Sequence, residues 1–423
     1  MENENGNYRM TAKTLFGLED LLVEELKKLG AGEIEKHNRA VSFSGDKGFM
    51  YKANLCLRTA LRVLKPIKTF NIVNEEGLYR EIGKIDWEEY MTVDETLAVD
   101  CALNSDFFTH SQYMSQKAKD AIVDQFRDKH GKRPSVDLDN PSLRINLHIF
   151  KNACTVSLDS SGESLHKRGY RDQTNKAPMN EVLAAGLIQL SGWDRRAPLI
   201  DPMCGSGTIL IEAAMLACNI PPGYFRKRFG FEQWKDYDQA LWDKIFQTTI
   251  DKISEEEVQI TGVELSRNVA RLAKENIRNA KVEDIVKIYS TDFKDFEPWE
   301  HIKKGVARPV LIMNPPYGER MDQDNIQELY KSIGDTLKKK YAGCDVWLIT
   351  SNPEGMKSVG LHATRKIMIF NGALECRFLK FSMYEGTKKV HKIRPRIEAA
   401  KREGEPGGTQ SENSSEEEQD SKE

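Results

Sequence analysis

Leucines near the start of the chain recur at helical spacing. Leu15, Leu18, Leu21, Leu22, Leu26 and Leu29 fall every few residues and stop at Gly30. That period lays one apolar stripe along a helix, and a glycine just past the stripe is a stop signal. The stretch Ser111 to His130 reads the same way, with Tyr113, Ala118, Ile122 and Phe126 on the stripe and Gly131 behind it. Elsewhere the period shortens to two. Ala40 to Phe43, Leu97 to Leu103 and Leu143 to Phe150 alternate like half-buried strands, and Cys154 to Leu158 continues after a turn at Lys151-Asn152. The first zone, about Tyr8 to Ser164, thus mixes helices and strands.

From about His166 to Tyr384, strand and helix patterns alternate. Leu199 to Asp201 precedes a helix over Thr208 to Cys218, and Val258 to Leu265 precedes one over Ser266 to Ala280. Val286 to Ser290 follows; then Val310 to Met313 leads to a helix at about Asn325 to Tyr341, and Val346 to Thr350 comes next. This alternation predicts an α/β sheet of parallel strands. Its end differs. Lys366 to Phe370 and Leu374 to Met383 flank Asn371-Gly372, a strong hairpin signal, so the last two strands are expected to be antiparallel.

Composition narrows the class. Hydrophobic residues make up 39% and charged residues 30% of 423, as in soluble globular proteins. No apolar run approaches the roughly 20 residues of a membrane span, and the polar start from Met1 to Tyr8 does not read as a secretory signal. The cysteines are scattered without a C-x-x-C pair, so a reduced, cytoplasmic setting without structural zinc is expected. Net charge is −3, but Glu403 to Glu423 holds eight acids against one lysine, a net −7. The remainder is therefore +4, compatible with a nucleic-acid partner. From about Glu385 the chain is first basic, then acidic and rich in Gly and Ser, and is expected to be disordered.

Four features carry candidate chemistry. In Asp201-Pro202-Met203-Cys204-Gly205-Ser206-Gly207-Thr208, the glycines allow a tight strand-to-helix turn against a ligand, and Asp201 can accept from a ligand ammonium. A Gly-rich turn without ligand is the plainer reading; a phosphate loop is not expected, because no Lys follows the second glycine. Glu264, ending the next strand, is placed for a ribose hydroxyl pair. Asp292 lies just past the strand after that. Read jointly, Asp201, Glu264 and Asp292 fall at one sheet edge. The fourth feature is Asn314-Pro315-Pro316-Tyr317. Its prolines hold the backbone extended and remove two N–H donors, leaving the Asn314 side-chain oxygen and carbonyls to accept from an amino group. Tyr317 offers a face for a flipped base.

Together these residues resemble class I S-adenosylmethionine-dependent methyltransferases of the N-P-P-Y, amino-methylating subgroup. With His166 to Arg171, Asn314 to Met321 and Asn371 to Arg377, the chain is similar over about residues 8–384 to the RlmL-type ribosomal RNA guanine-N2 methyltransferases. The resemblance implies a ferredoxin-like region (1–60), a THUMP RNA-binding domain (61–165), and a Rossmann-like seven-stranded methyltransferase domain (166–385), with residues 386–423 as the charged tail. It implies S-adenosylmethionine as cofactor, with Asp201, Met203, Gly205 and Gly207 in its loop. Glu264, where relatives often have Asp, would hold the ribose and Asp292 the adenine. Asn314, Pro315 and Tyr317 would hold the target base, Asn314 also bordering the cofactor. No metal is expected, because the methyl donor is already activated.

The expected activity is methylation of the exocyclic N2 amine of a guanosine in 23S ribosomal RNA, free or in a pre-ribosomal particle. Some relatives carry a second methyltransferase domain; here only the first activity is expected. His166, Lys167, Arg168 and Arg171 with Tyr170 could contact RNA, although the stretch also reads as a solvated linker. Adenine-N6 and protein-glutamine methylation are disfavoured by the first zone. Transfer RNA guanine-N2 methylation and a non-catalytic RNA-binding or ribosome-assembly factor stay open.

Overall fold

The alternating runs of the first zone pair into one mixed sheet. The computed structural model describes residues 6–171, 179–302, 307–316 and 323–384. Tyr317 and the charged tail therefore lie outside the described residues. Eight strands build the first sheet: β1 (Tyr8–Thr14), β2 (Gly32–His37), β3 (Ala40–Gly45), β4 (Ala60–Asn71), β5 (Thr96–Asn104), β6 (Ser135–Val136), β7 (Leu143–Phe150) and β8 (Ala153–Asp159). Their order is β2-β3-β1-β4-β8-β7-β5-β6. The long β4 joins its two halves. Residues 60–64 pair with β1 and residues 64–71 with β8, and the register slips between Pro66 and Lys68, where a proline cannot donate to the ladder.

Helices α1 (Glu19–Leu29), α2 (Lys47–Cys56), α3 (Glu75–Gly83) and α4 (Ser111–His130) accompany this sheet. Both predicted stops hold: Gly30 and Gly131 adopt φ of 95° and 67°, the left-handed cap that glycine allows. The first helix begins at Glu19, however, so Leu15 and Leu18 precede it. Leu18 is buried in the second zone's core instead. Tyr113 is 48% exposed, and Met114 takes its expected place in the core.

The second sheet comprises β9 (Leu199–Asp201), β10 (Ile260–Val263), β11 (Val286–Tyr289), β12 (Val310–Met313), β13 (Asp345–Thr350), β14 (Arg365–Asn371) and β15 (Leu374–Ser382). Its order is β11-β10-β9-β12-β13-β15-β14. The pairs from β11 to β13 are parallel, and β15 is antiparallel to both neighbours. Interleaved are α5 (Glu181–Ser191), α6 (Thr208–Ala217), α7 (Gln239–Ile250), α8 (Arg267–Asn279), α9 (Pro298–His301), α10 (Gln323–Lys340) and α11 (Pro353–Ser358). Both sheet faces are covered. Val310 and Ile312 join the core of α5 and α6, while Leu311 and Met313 join that of α10. This explains why β12 reads as an unbroken apolar run. The final hairpin forms with a shift: Asn371 pairs with Leu374, so the two-residue loop is Gly372-Ala373, and glycine sits first at φ 62°.

Buried cations tie the two sheets together. The Arg58 guanidinium donates to the carbonyls of Met215 and Ile220 at 3.1 and 2.6 Å, and Arg168 donates to the Arg58 carbonyl at 2.6 Å. Arg168 also pairs with Glu212 on α6 at 3.2 Å, and both side chains are almost wholly buried. Tyr170 is 1% exposed and donates to the same carboxylate at 3.4 Å. This corrects the expectation that Arg168 and Tyr170 contact RNA. The pair is an internal strut, because a guanidinium so enclosed needs a carboxylate rather than a phosphate from outside.

Candidate active site

Strand register brings the predicted residues to one edge. Gly262 of β10 lies level with Asp201 of β9, which puts Glu264 two residues beyond that level. On the other side Leu311 of β12 is level with Ile200, so Asn314 also stands two residues beyond Asp201. Val263 pairs with Tyr289, so Asp292 follows on the next strand. Asp201 ends its strand and the other three lie past the C-terminal ends of adjacent parallel strands, the crevice where open α/β sheets bind ligands. Gly262 is required there: a Cβ would sit 2.4 Å from Leu210 Cδ1 and 2.5 Å from Ile288 Cδ1.

The loop from β9 to α6 is held from several sides. Cys204 N–H donates to the Val263 carbonyl at 3.0 Å, and Asn276 Nδ2 to the Ser206 carbonyl at 3.0 Å. Gly205 and Gly207 adopt φ of 54° and 83°. A Cβ on Gly205 would meet nothing within 4 Å, so the loop borders open space at this point. Glu264 spans the turn: its Oε2 accepts from Gly205 N–H at 3.0 Å and its Oε1 from Ser266 N–H at 2.8 Å. Asp292 Oδ1 accepts from Lys294 N–H at 2.9 Å.

Two groups stand out energetically. Asp201 is 2% exposed and, among the described residues, accepts only from Met203 N–H, at 3.2 Å. Burial pushes its carboxyl up to about 8, with that N–H opposing and the nearby Glu264 adding to the rise. Asn314 Oδ1 is buried with no hydrogen-bond partner. Pro315 is buried behind it and Pro316 exposed. Unmatched buried acceptors are uncommon and costly. Here a carboxyl that a cation would help to ionise and an amide oxygen without a donor stand at the same strand-end edge.

The basic stretch behaves differently from the site. His166 is pushed down to about 4, first by burial and then by Arg168 and other cations, so it is neutral at pH 7. Lys167 is exposed and pairs with Glu163 at 2.7 Å. Arg171 pairs with Glu181 at 2.8 Å and also donates to Thr208 Oγ1 at the start of α6. Sequence reasoning missed Glu181, the first residue of α5. It is buried, and desolvation raises its carboxyl to about 7 although Arg171 opposes this. It also missed Leu265, 69% exposed beside Glu264; that exposure has no local sequence signal.

Comparison with known proteins agrees with this arrangement. Residues 168–380 match the RMKL-like methyltransferase domain family, residues 73–159 the THUMP domain, and residues 9–64 the RlmL ferredoxin-like domain. The chain belongs to the RMKL-like methyltransferase family. A Synechocystis relative, slr0064, provisionally named an RNA methyltransferase, is 39% identical over 87% of this chain and 95% of its own. The ribosomal RNA large subunit methyltransferase K/L of Syntrophotalea carbinolica is 38% identical over 87% of this chain. This RMKL-like chain spans about half the length of that relative, 53%. Among solved structures, SMU.472, provisionally a methyltransferase and bound to S-adenosylhomocysteine, covers 90% of the chain and matches over its own whole length, with 30% identity and a TM-score of 0.77. The strand-end residues fit such a cofactor: a buried lone carboxylate suits its cationic end, and the open space at Gly205 admits it to the backbone.

Proposed function

We propose that this protein transfers a methyl group from S-adenosylmethionine to the exocyclic N2 amine of a guanosine in large-subunit ribosomal RNA, in the cytoplasm. The observation that carries the reading is the unpartnered, buried Asn314 Oδ1, level with Glu264 on the opposite side of Asp201. An acceptor kept from water yet left unsatisfied suits an amino group delivered from outside. The relatives named for ribosomal RNA methylation, and the THUMP match ahead of the catalytic region, support RNA as the polymer.

When bound, the cofactor supplies an electrophilic methyl group on a sulfonium. Asp201, Met203, Gly205 and Gly207 would hold its amino-acid part, Glu264 its ribose and Asp292 its adenine, while Leu265 offers apolar cover to the ring. The chain's remaining task concerns the nucleophile. A guanine amine is poorly nucleophilic because its lone pair is shared with the ring. Asn314 Oδ1 and the Pro315 carbonyl would accept its two N–H groups, favouring a pyramidal nitrogen and fixing its line of approach. Tyr317 would stack on the extruded base. Positioning of this kind supplies up to about 7–11 kcal/mol in the best cases. These contacts would hold the amine in line with the sulfonium methyl group, and the methylated amine would lose its proton to solvent.

The test is transfer of labelled methyl from S-adenosylmethionine to 23S ribosomal RNA from a strain lacking the protein, followed by nucleoside analysis. The expected product is N2-methylguanosine at one position. Label in transfer RNA alone, or none in either RNA, would overturn the assignment.

A further inference from the structure

A cavity lies away from the strand ends. It has a volume of about 780 Å³, far more than one inorganic anion needs, and residues 139–141, 179–181 and Gln233 wall it together with three stretches of chain. These are residues 161–163 beyond β8, the stretch 166–171 before α5, and residues 226–230 between α6 and α7. Glycine lets two of them close together. Gly169 has φ of 100°, and a Cβ there would lie 2.1 Å from the Phe225 carbonyl oxygen.

Charge in this cleft is unbalanced. Lys167 and Arg171 line it but are paired with Glu163 and Glu181. Arg226 is held by carbonyls alone: it donates to Ser161, Glu163, Ser164 and Lys167 at 2.7–3.2 Å. Its charge therefore meets no carboxylate contact. The Nε–H groups of Arg226 and Arg171 are both buried without an acceptor. Lys227 and Arg228 follow on the cleft wall, exposed and in no ion pair among the described residues. Against Arg226, Lys227 and Arg228 stands one unpaired lining acid, Asp139. Cations held by a fixed wall and left unneutralised fit a chain of phosphates.

The cleft wall is also tied to the helix that follows the cofactor loop. Arg171, on its wall, donates to Thr208, the residue after Gly207. We infer that this cleft seats the phosphate backbone of the RNA strand next to the target base, with Lys227 and Arg228 as its two open phosphate contacts. The inference rests on the RNA reading above and replaces the buried Arg168 and Tyr170 with the 226–228 segment.

The test measures binding of transcribed 23S ribosomal RNA to the full chain over a salt series. The double variant Lys227→Ala, Arg228→Ala should bind at least about tenfold more weakly at low salt, and its log–log salt slope should be shallower by about 1.4, two contacts at about 0.7 each. S-adenosylhomocysteine affinity and melting temperature should stay unchanged. The variant Lys227→Arg, Arg228→Lys, which keeps both charges, should restore the slope. Equal slopes for the wild type and the double alanine variant would overturn the cleft alone. A wild-type chain that binds no ribosomal RNA would overturn both the cleft and the functional reading.

Discussion

Replacing Asn314 by alanine separates a functional acceptor from a structural one, because the two roles predict opposite signs. A buried acceptor without a donor costs a folded protein about 1–3 kcal/mol. Asn314 Oδ1 is such an atom. Its removal should therefore leave stability level or raise it within that range, although most substitutions of partly buried residues destabilise. On the proposed reading the same oxygen receives the amine in the substrate complex, so the variant would forfeit a bond made only there. Loss of about 1–3 kcal/mol corresponds to about 5- to 150-fold in rate, and misplacement of the nitrogen by about 1 Å adds up to about 100-fold. Methyl transfer under single turnover should accordingly fall at least tenfold, with S-adenosylhomocysteine affinity kept. Denaturant unfolding of the free protein supplies the other half of the measurement. A variant that is strongly destabilised yet transfers methyl at the normal rate would show that the oxygen serves the fold, and the argument from its solitude would fail.

Two further outcomes follow from the buried charges. The Asp201 carboxyl rises from 3.8 to about 8 in the fold, so between those values the folded chain holds a proton that the unfolded chain has lost. Stability contributed by this group therefore falls as pH rises through the window, and the whole penalty is present above about pH 8. Asp201→Asn should flatten the decline between pH 5 and 8 in equilibrium unfolding while weakening cofactor binding; parallel pH profiles for the two proteins would contradict the assigned burial. Arg168→Met leaves Glu212 buried without its cation, and should cost about 3–5 kcal/mol of stability. If Arg168 is a strut, the salt slope of RNA binding by the still-folded variant matches that of the wild type; a shallower slope would return it to the RNA surface.

Legibility in the sequence followed the range of the interaction. Helix ends at Gly30 and Gly131 were readable because a left-handed cap is a property of one residue. Asp201, Glu264 and Asn314 could be placed at strand ends because each ends its strand or follows it directly, and parallel pairing then aligns them. The Asn371-Gly372 signal found the hairpin but misplaced its loop by one residue, since the antiparallel register with β15 decides which pair closes it. The basic stretch was readable only as composition. Arg168 and Lys167 are adjacent, yet one is enclosed by Glu212, 44 residues away, and the other is exposed. Nothing local distinguishes them. The 226–228 segment lies between helices without periodicity, and gains meaning only where Gly169 brings it against the interdomain stretch.

The shared strand β4 bears on how the protein can be dissected. The ferredoxin-like match ends at residue 64 and the THUMP match begins at 73, which invites a cut in the gap. Yet β4 occupies most of that gap, and residues 64–71 complete the ladder of β8. A fragment starting at 73 would bare the edge of β8, whose Cys154, Val156 and Leu158 are buried in the intact chain. An uncovered strand edge beside apolar side chains is a template for self-association. Fragments meant to isolate the THUMP-matched half would therefore precipitate or pair with one another unless they begin ahead of Ala60, because one strand closes the ladders of both matched regions.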